Sequence, residues 1–261
     1  MTLQDKFWPK KFPMTVLVSG ILVILFSLAS GQDLTVDEVI QKNIDARGST
    51  SSWAAVKTIK MAGTYVNFSD ATPFTIWRQR PNLYRFDSTR LNKFMIHAYD
   101  GEQTWWVNPF FGPPNSKPVV IPSKGNLDKV TLRERFFEPI FWNYAAKGHE
   151  VVLEGRADMD DRDCYKLQVT LADSSVEYWF IDSGTFLEVG MTGDTYDFGS
   201  KTSLEMFFSD YRDLNGVKLP YLVESEYGTR YRTMEVETLE INSAIEPPVF
   251  ARPDSSTWKS N

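Results

Sequence analysis

Apolar side chains recur at every second position in a series of short segments that begins near residue 58. Examples are "TIKMAGTYV", "CYKLQVTL", "VEYWFID" and "TSLEMFFSDY". A period of two is typical of β-strands, and stretches rich in Gly, Asn, Asp or Pro separate one segment from the next. Because consecutive strands with short connections pair as antiparallel neighbours, the pattern predicts a meander. It argues against a doubly wound fold, in which strands and helices alternate.

Two helical regions accompany the strands. The first begins at a T-x-x-E capping box formed by Thr35 and Glu38, and it ends at Gly48, which supplies a left-handed stop. The second covers residues 131–147, where aromatic residues share one face and Pro139 predicts a kink or a new helix start. We therefore expect a mostly β protein with two helical regions.

Several strands are apolar on both faces. In "VEYWFID", Tyr178 and Phe180 point one way, whereas Trp179 and Ile181 point the other. A sheet with one solvated face is polar on that face. Two-sided apolarity beside two helical regions therefore predicts a curved sheet that wraps around the helices.

The first 31 residues differ from the rest of the chain. Residues 1–31 combine three lysines, an apolar run over residues 14–29 and small residues up to Gly31. This is the layout of a secretory signal peptide that is cleaved near Gly31. We therefore expect an exported, periplasmic protein in which residues 32–261 form a single domain. The apolar run is only slightly shorter than the ~20 residues of a spanning helix, so an uncleaved anchor is the alternative.

Charge and reactive residues narrow the function classes. The formal net charge is −6, and an acidic domain repels phosphate backbones, so nucleic acid is not an expected partner. Cys164 is the only cysteine, which rules out an internal disulfide. His97 and His149 are far apart, and no metal-ligand spacing, nucleophile elbow or phosphate-binding loop is present. We expect no enzyme, no metal and no cofactor, and we interpret the aspartates of residues 158–163 as a solvated turn.

Aromatic residues are abundant. Phe, Tyr and Trp together make up 14% of the chain. Large aromatic side chains fill thick cores, and they also line apolar ligand pockets. The residues alone leave both uses open.

Several segments of the domain carry a family resemblance. They are "AYDGEQTWW" with Asp100, Gly101 and Trp105; "WFIDSGTFLEV" with Ile181, Asp182, Thr185 and Leu187; "FSDYRDLNGVKLPYLVE" with Asp210, Tyr211, Gly216, Val217 and Pro220; and "INSAIEPPVFARP" with Asn242, Ile245, Phe250 and Pro253. Together with the opening helix "LTVDEVIQKNIDARG", they resemble the outer-membrane lipoprotein-sorting proteins, the superfamily of the periplasmic carrier LolA and the receptor LolB. The matching residues are turn and packing residues, so the resemblance indicates the fold better than the ligand.

The resemblance implies an α+β, mostly β fold: an unclosed antiparallel half-barrel with helices covering its concave face. It also implies a carrier or binding protein for lipids or lipoprotein acyl chains in outer-membrane lipoprotein sorting. Such a carrier would be a monomer that meets an inner-membrane donor protein and an outer-membrane acceptor protein. We expect the following residues to line the hydrophobic cavity: Trp77, Trp105, Phe136, Phe137, Phe141, Tyr178, Phe180 and Phe207.

Two other functions stay open. The same half-barrel could serve as an envelope regulatory or sensor module that binds a protein partner. An enzyme acting on envelope polymers would need a cleft with two carboxylates of separated pKa values. The apolar run of the leader is followed by no cysteine, so an anchored, LolB-like role does not fit the sequence.

Overall fold

A computed structural model describes residues 34–254 apart from six gaps. The gaps are 68–69, 91–92, 108–118, 121–133, 135–137 and 198–199. The predicted leader lies outside the described residues, as do Phe136 and Phe137. The described residues belong to one compact unit, Leu34–Asn261. Among them, no helix combines the length and the apolar character needed to cross a membrane.

The predicted capping box begins the first helix. In α1 (Val36–Arg47), Glu38 N–H donates to the Thr35 hydroxyl at 3.3 Å, and Thr35 N–H donates to the Glu38 carboxylate at 2.8 Å. The helix ends at Gly48, whose φ is 122°. A side chain at Gly48 would collide with the backbone of Gly216. The second helix, α2 (Thr50–Ala55), follows directly.

Thirteen strands of the described chain form one antiparallel sheet, in the order β6-β5-β4-β3-β2-β1-β13-β12-β11-β10-β9-β8-β7. The strands are β1 (Thr58–Asn67), β2 (Asp70–Gln79), β3 (Leu83–Arg90), β4 (Lys93–Tyr99), β5 (Thr104–Val107), β6 (Val119–Val120), β7 (Glu150–Met159), β8 (Arg162–Thr170), β9 (Val176–Asp182), β10 (Glu188–Asp197), β11 (Ser200–Leu214), β12 (Val217–Tyr227) and β13 (Arg230–Ile241). Each half of the chain is a meander, as the sequence predicted. The pairing of β1 with β13 joins the two halves.

A β-bulge bends the sheet at this junction. The register of β1 against β13 shifts between Ala62 and Gly63. Gly63 lies so close to the backbone of Glu235 that no side chain would fit there. The extra residue of a bulge increases local bending and twist, which suits a sheet that curves around its helices.

Both helices pack on the same face of the sheet, the concave face. Val39 and Ile40 of α1 share a buried cluster with Leu167 and Ile181 of β8 and β9. Trp53 of α2 belongs to a second cluster built mainly on β1, β2, β3 and β12. The register connects these strands through directly opposed residues, and opposed residues share a face. The predicted half-barrel with helices on its concave side is therefore confirmed.

The second predicted helical region differs from expectation at its C-terminal end. Residues 140–148 form consecutive turns rather than a regular helix. Asn143 has a φ of 51°, which a right-handed helix does not allow, and Pro139 lacks the N–H that would extend one. Gly148, with a φ of 77°, ends the segment as predicted. Phe141 nevertheless lies fully buried between α1 and the sheet.

The C-terminal segment covers part of the opposite, convex face. A short 3₁₀ turn, Pro247–Val249, precedes Phe250, which is buried. The indole N–H of Trp105 donates to the Phe250 carbonyl at 2.9 Å, and Arg85 donates to the Val249 carbonyl at 2.7 Å. These bonds attach the end of the domain to β3 and β5.

Candidate functional site

The concave face carries apolar side chains, some of them buried beneath the helices and others half-buried. On the β1–β4 side, Met61, Ile76, Phe86 and His97 oppose one another in a row across the strands. Met95 lies on the same face and is half-buried. The row faces the interior of the half-barrel, because Met61, Ile76 and Phe86 pack in the cluster that contains Trp53 of α2.

The β9–β13 side of the concave face is also aromatic and rich in methionine. Trp179 opposes Met191, and Met191 opposes Met206. The rings of Trp179 and Phe208 stack with centroids 5.6 Å apart and planes 4° apart. Trp179, Met206 and Phe208 are half-buried, as is Met234 on β13. Methionine is flexible and polarizable, so it suits a surface that adapts to cargo of variable shape.

Residues 138–148 connect the two sides. The Phe141 ring meets the Trp179 ring edge-on, with centroids 6.0 Å apart. Its neighbour Trp142 packs instead against the cluster around α2. This segment therefore lies over the concave face, where it contacts the clusters of both helices.

The structure divides the expected lining residues between the two faces. Phe141 is on the concave side, whereas Tyr178, Phe180 and Phe207 share a cluster on the convex side with Cys164. The alternation of β9 places Tyr178 and Phe180 opposite in direction to Trp179, which contacts Phe141.

The two tryptophans among the expected residues also lie on the convex face. Trp77 and Trp105 are on one row with Arg85, whose guanidinium carbon is 5.6 Å from the ring centroid of each. Trp105 is fully buried, largely beneath the C-terminal segment. The structure thus does not bring the six described residues into one cavity.

Two arginines fasten the helices to the sheet. Arg47 at the end of α1 pairs with Glu188 at 2.7 Å and donates to the Lys218 carbonyl at 2.8 Å. Arg80, just after β2, donates to the carbonyls of Val56 and Trp53 at 2.6 and 2.7 Å, and it also pairs with Glu138. Arg80 therefore ties the end of α2 to the start of the segment over the concave face.

The family motifs prove to be turn residues. The Asp100 carboxylate accepts the N–H groups of Glu102 and Gln103 at 3.0 and 2.9 Å, and Gly101 adopts a φ of 104°. Asp182 accepts in the same way from Gly184 and Thr185. These carboxylates shape hairpins, so they are committed to structure rather than to chemistry on a substrate.

The Cys164 thiol and the His97 imidazole are poorly suited to catalysis. Burial, with smaller contributions from Asp182 and Asp163, raises the pKa of Cys164 to about 11, so its thiol stays protonated at neutral pH. Burial, with a smaller effect of the Arg232 charge, lowers the pKa of His97 to about 4. In the part of the chain that the structure describes, no group of His, Cys, Asp and Glu side chains is placed to hold a metal ion.

A polar cleft lies away from the concave face. It has a volume of about 690 Å³ and opens between the β4–β5 turn and the C-terminal segment. Asp100, Glu102, Arg252 and Asp254 are among its lining residues. The carboxylate of Asp100 is already engaged in the turn that it caps.

Neither a protein-family model nor a curated protein sequence matches the chain. Solved structures share its fold. A LolA superfamily protein from Nitrosomonas europaea is 13% identical, with a TM-score of 0.53, and the match covers 84% of this chain and 98% of that one. An outer membrane lipoprotein-sorting protein domain from Vibrio parahaemolyticus is 9% identical, with a TM-score of 0.54 and coverage of 82% and 94%. A DUF1329 family protein from Desulfovibrio piger is 13% identical, with a TM-score of 0.55 and coverage of 83% and 97%.

At these identities the likeness shows the fold alone. The chain has the LolA-like fold that its motifs indicated, over most of its length. A fold does not by itself establish a function, which depends on the side chains that the fold presents.

Proposed function

We propose that this protein is a periplasmic binding or carrier protein for the acyl chains of lipids or lipoproteins. The observation that carries the proposal is the partly exposed apolar surface inside the half-barrel, between the helices. Its members are Met95, Trp179, Met206, Phe208 and Met234. Concave apolar surface of this kind is typical of sites for apolar ligands.

Binding would rest on burial of hydrocarbon rather than on specific polar contacts. Each methylene group removed from water contributes about 0.8 kcal/mol, so a long acyl chain would bind tightly to any adaptable apolar groove. Stacked aromatic rings and methionines provide such a groove without fixing the shape of the cargo. The site is therefore expected to accept acyl chains of different lengths.

Uptake and release would depend on the segment over the groove. Residues 138–148 are held by the Phe141–Trp179 contact and by the Arg80–Glu138 pair rather than by regular helix bonds. Separation of these contacts would open the groove. In this proposal the protein works as a monomer and exchanges its cargo with a donor at the inner membrane and an acceptor at the outer membrane.

The proposal reassigns the lining residues. Phe141 stays as a fully buried residue of the segment over the groove, and the concave residues Trp179, Met206 and Phe208 replace the convex ones as lining residues. Phe136 and Phe137 stay predictions from the sequence, because they lie outside the described residues.

The first test is native purification followed by solvent extraction and mass spectrometry. We expect acyl species to be recovered with the protein, and we expect the purified protein to bind a fluorescent fatty acid. A stoichiometric protein partner in place of lipid would instead favour the envelope sensor module.

A pair of adjacent phenylalanines supplies a matched control. Phe208 and Phe207 are neighbours on β11, both half-buried, but they lie on the concave and convex faces respectively. Phe208→Ser should weaken fatty acid binding about tenfold or more, since it removes roughly 2 kcal/mol of apolar contact. Phe207→Ser should leave binding unchanged. Equal losses in both variants would contradict the assignment of the groove to the concave face.

A further inference from the structure

One corner of the concave face is polar. Arg232 on β13 opposes Asn67 on β1 and Ser225 on β12. It lies two residues before Met234, so it points to the same face as that groove residue. The guanidinium carbon of Arg232 lies 4.0 Å from the ring centroid of Tyr227, the last residue of β12. The apolar groove therefore ends, near the β12–β13 hairpin, at a guanidinium group.

Three buried polar atoms in this corner lack partners. Arg232 Nε, Asn67 Oδ1 and the Tyr227 hydroxyl make no hydrogen bond. Asn67 and Tyr227 are buried, with exposed fractions of 9% and 3%. Buried polar groups are normally satisfied, and an isolated one costs free energy.

Arg232 also differs from Arg156, another arginine that lies over a tyrosine ring. The Arg156 guanidinium lies 4.3 Å from the Tyr165 ring centroid in the same manner, but it pairs with the carboxylate of Asp163. Among the residues that the structure describes, no carboxylate pairs with Arg232. The half-buried Arg232 guanidinium therefore has donor capacity left for an anion.

The positive charge of Arg232 influences a residue on the other side of the concave face. It contributes, after burial, to the lowered pKa of His97 on β4. Three strands, β1, β2 and β3, lie between β13 and β4 in the sheet. Along a flat sheet these four strand spacings would amount to roughly 19 Å. The influence is therefore consistent with a guanidinium that faces the interior of the curved sheet.

We infer that Arg232, Tyr227 and Asn67 form a subsite for an oxyanion carried by the acyl ligand. The guanidinium would donate to a phosphate or carboxylate oxygen, as charge-assisted bonds of this type are strong. The Tyr227 hydroxyl would supply a further donor, whereas the unpartnered Asn67 Oδ1 is an acceptor and would take a hydrogen bond from a headgroup hydroxyl or a protonated carboxyl group. The subsite thus selects anionic lipids, namely phospholipids or fatty acids, over neutral acyl ligands such as diacylglycerol.

This inference rests on the proposed function, and the experiment separates the two. Binding of phosphatidylglycerol and of diacylglycerol with identical acyl chains is measured by displacement of a fluorescent acyl probe. The intact protein should prefer phosphatidylglycerol by about tenfold or more, which is typical of one charged hydrogen bond. If neither lipid binds, the carrier proposal fails. If both bind equally, only the subsite fails.

Substitutions locate the preference. Arg232→Gln should abolish the preference for phosphatidylglycerol while diacylglycerol binding stays the same, and Arg232→Lys should restore part of it. Arg156→Gln, which removes a ring-stacked but ion-paired guanidinium, should leave the preference intact. Because Arg232 has no carboxylate partner among the described residues, Arg232→Gln should fold at least as stably as the intact protein.

A last arm distinguishes a lipid headgroup from a free anion. Millimolar inorganic phosphate should leave the preference for phosphatidylglycerol largely unchanged, because free phosphate brings no acyl chain to the groove. If phosphate abolished the preference for phosphatidylglycerol, the site at Arg232 would bind a free anion, and the headgroup subsite would be overturned. A preference that survives Arg232→Gln would overturn the role of Arg232.

Discussion

The Arg47 guanidinium on α1 and the Glu188 carboxylate on β10 form a buried ion pair 2.7 Å long. The side chains are 9% and 2% exposed. The Tyr211 hydroxyl donates to the same carboxylate at 3.1 Å, and burial, reinforced by Glu188, raises the pKa of Tyr211 well above its usual range. The indole N–H of Trp53 donates to the Arg47 carbonyl at 3.1 Å. This network joins both helices to the strands beneath them.

Removal of one member of the pair should be costly. Arg47→Met leaves the Glu188 carboxylate buried without its cation, and we expect the free energy of unfolding to fall by about 3–5 kcal/mol. The double variant Arg47→Met, Glu188→Met should lose less than Arg47→Met alone, because no uncompensated charge remains. Urea denaturation of these two variants and of Glu188→Met alone measures the effects. A double variant that loses the sum of the two single effects would show that the ion pair is not the source of the stability.

Arg80 should keep residues 138–148, the segment over the groove, well ordered. Its guanidinium donates to the Trp53 and Val56 carbonyls and pairs with the Glu138 carboxylate at the same time. The ammonium group of a lysine lacks the planar arrangement of donors that makes these three contacts possible. We expect Arg80→Lys to lower the free energy of unfolding by about 1–3 kcal/mol. Hydrogen exchange should accelerate in α2 and residues 138–148 but not in β8. The exposed Arg212, paired with Asp210, provides the control Arg212→Lys, which should change neither quantity.

The stability of the protein should fall on mild acidification because of His97. The unfolded histidine takes up a proton near pH 6.5, whereas the folded one does so only near pH 4, so the unfolded state binds more protons between these values. The contribution is complete above pH 6.5 and is lost as pH falls towards 4, by up to about 3 kcal/mol. In His97→Phe, the free energy of unfolding should change less with pH between 6.5 and 4, which denaturation at several pH values measures. The pKa of His149 is also lowered, first by burial, so a smaller slope of the same sign should persist in the variant.

The sequence predicted the local structure well because local rules govern it. The period of two located the strands, and the Thr35–Glu38 box located the start of α1. The pairing of β1 with β13 depends on contacts between distant parts of the chain, which no local pattern encodes. The regular helix expected up to residue 147 fails because Asn143 adopts a positive φ, which its sequence neighbours do not reveal.

The site was harder to predict than the fold. The sequence showed that "VEYWFID" has two apolar faces, but it could not tell which one meets the helices. Trp179 rather than Tyr178 faces the groove, and the choice depends on the register set at the bulged β9–β10 pairing. Arg232 carried one usable signal, since Arg230 and Arg232 continue the inward positions of Met234 and Val236 on β13. A basic residue in an inward row is unexpected unless it has a function there.

The convex face should matter for stability and not for cargo. Phe250 is 2% exposed and packs over β5, where its carbonyl accepts the Trp105 indole N–H. Phe250→Ala should lower the free energy of unfolding by about 3–5 kcal/mol through the cavity that it leaves. Phe250 and Trp105 lie on the opposite face of the sheet from Trp179 and Phe208. At temperatures where the variant is folded, its affinity for a fluorescent fatty acid should therefore stay within twofold of that of the intact protein. Thermal denaturation and fatty acid titration, run on the same sample, give both quantities. A variant that keeps its stability, or that folds but loses fatty acid binding, would show that the two faces do not divide structure and cargo in this way.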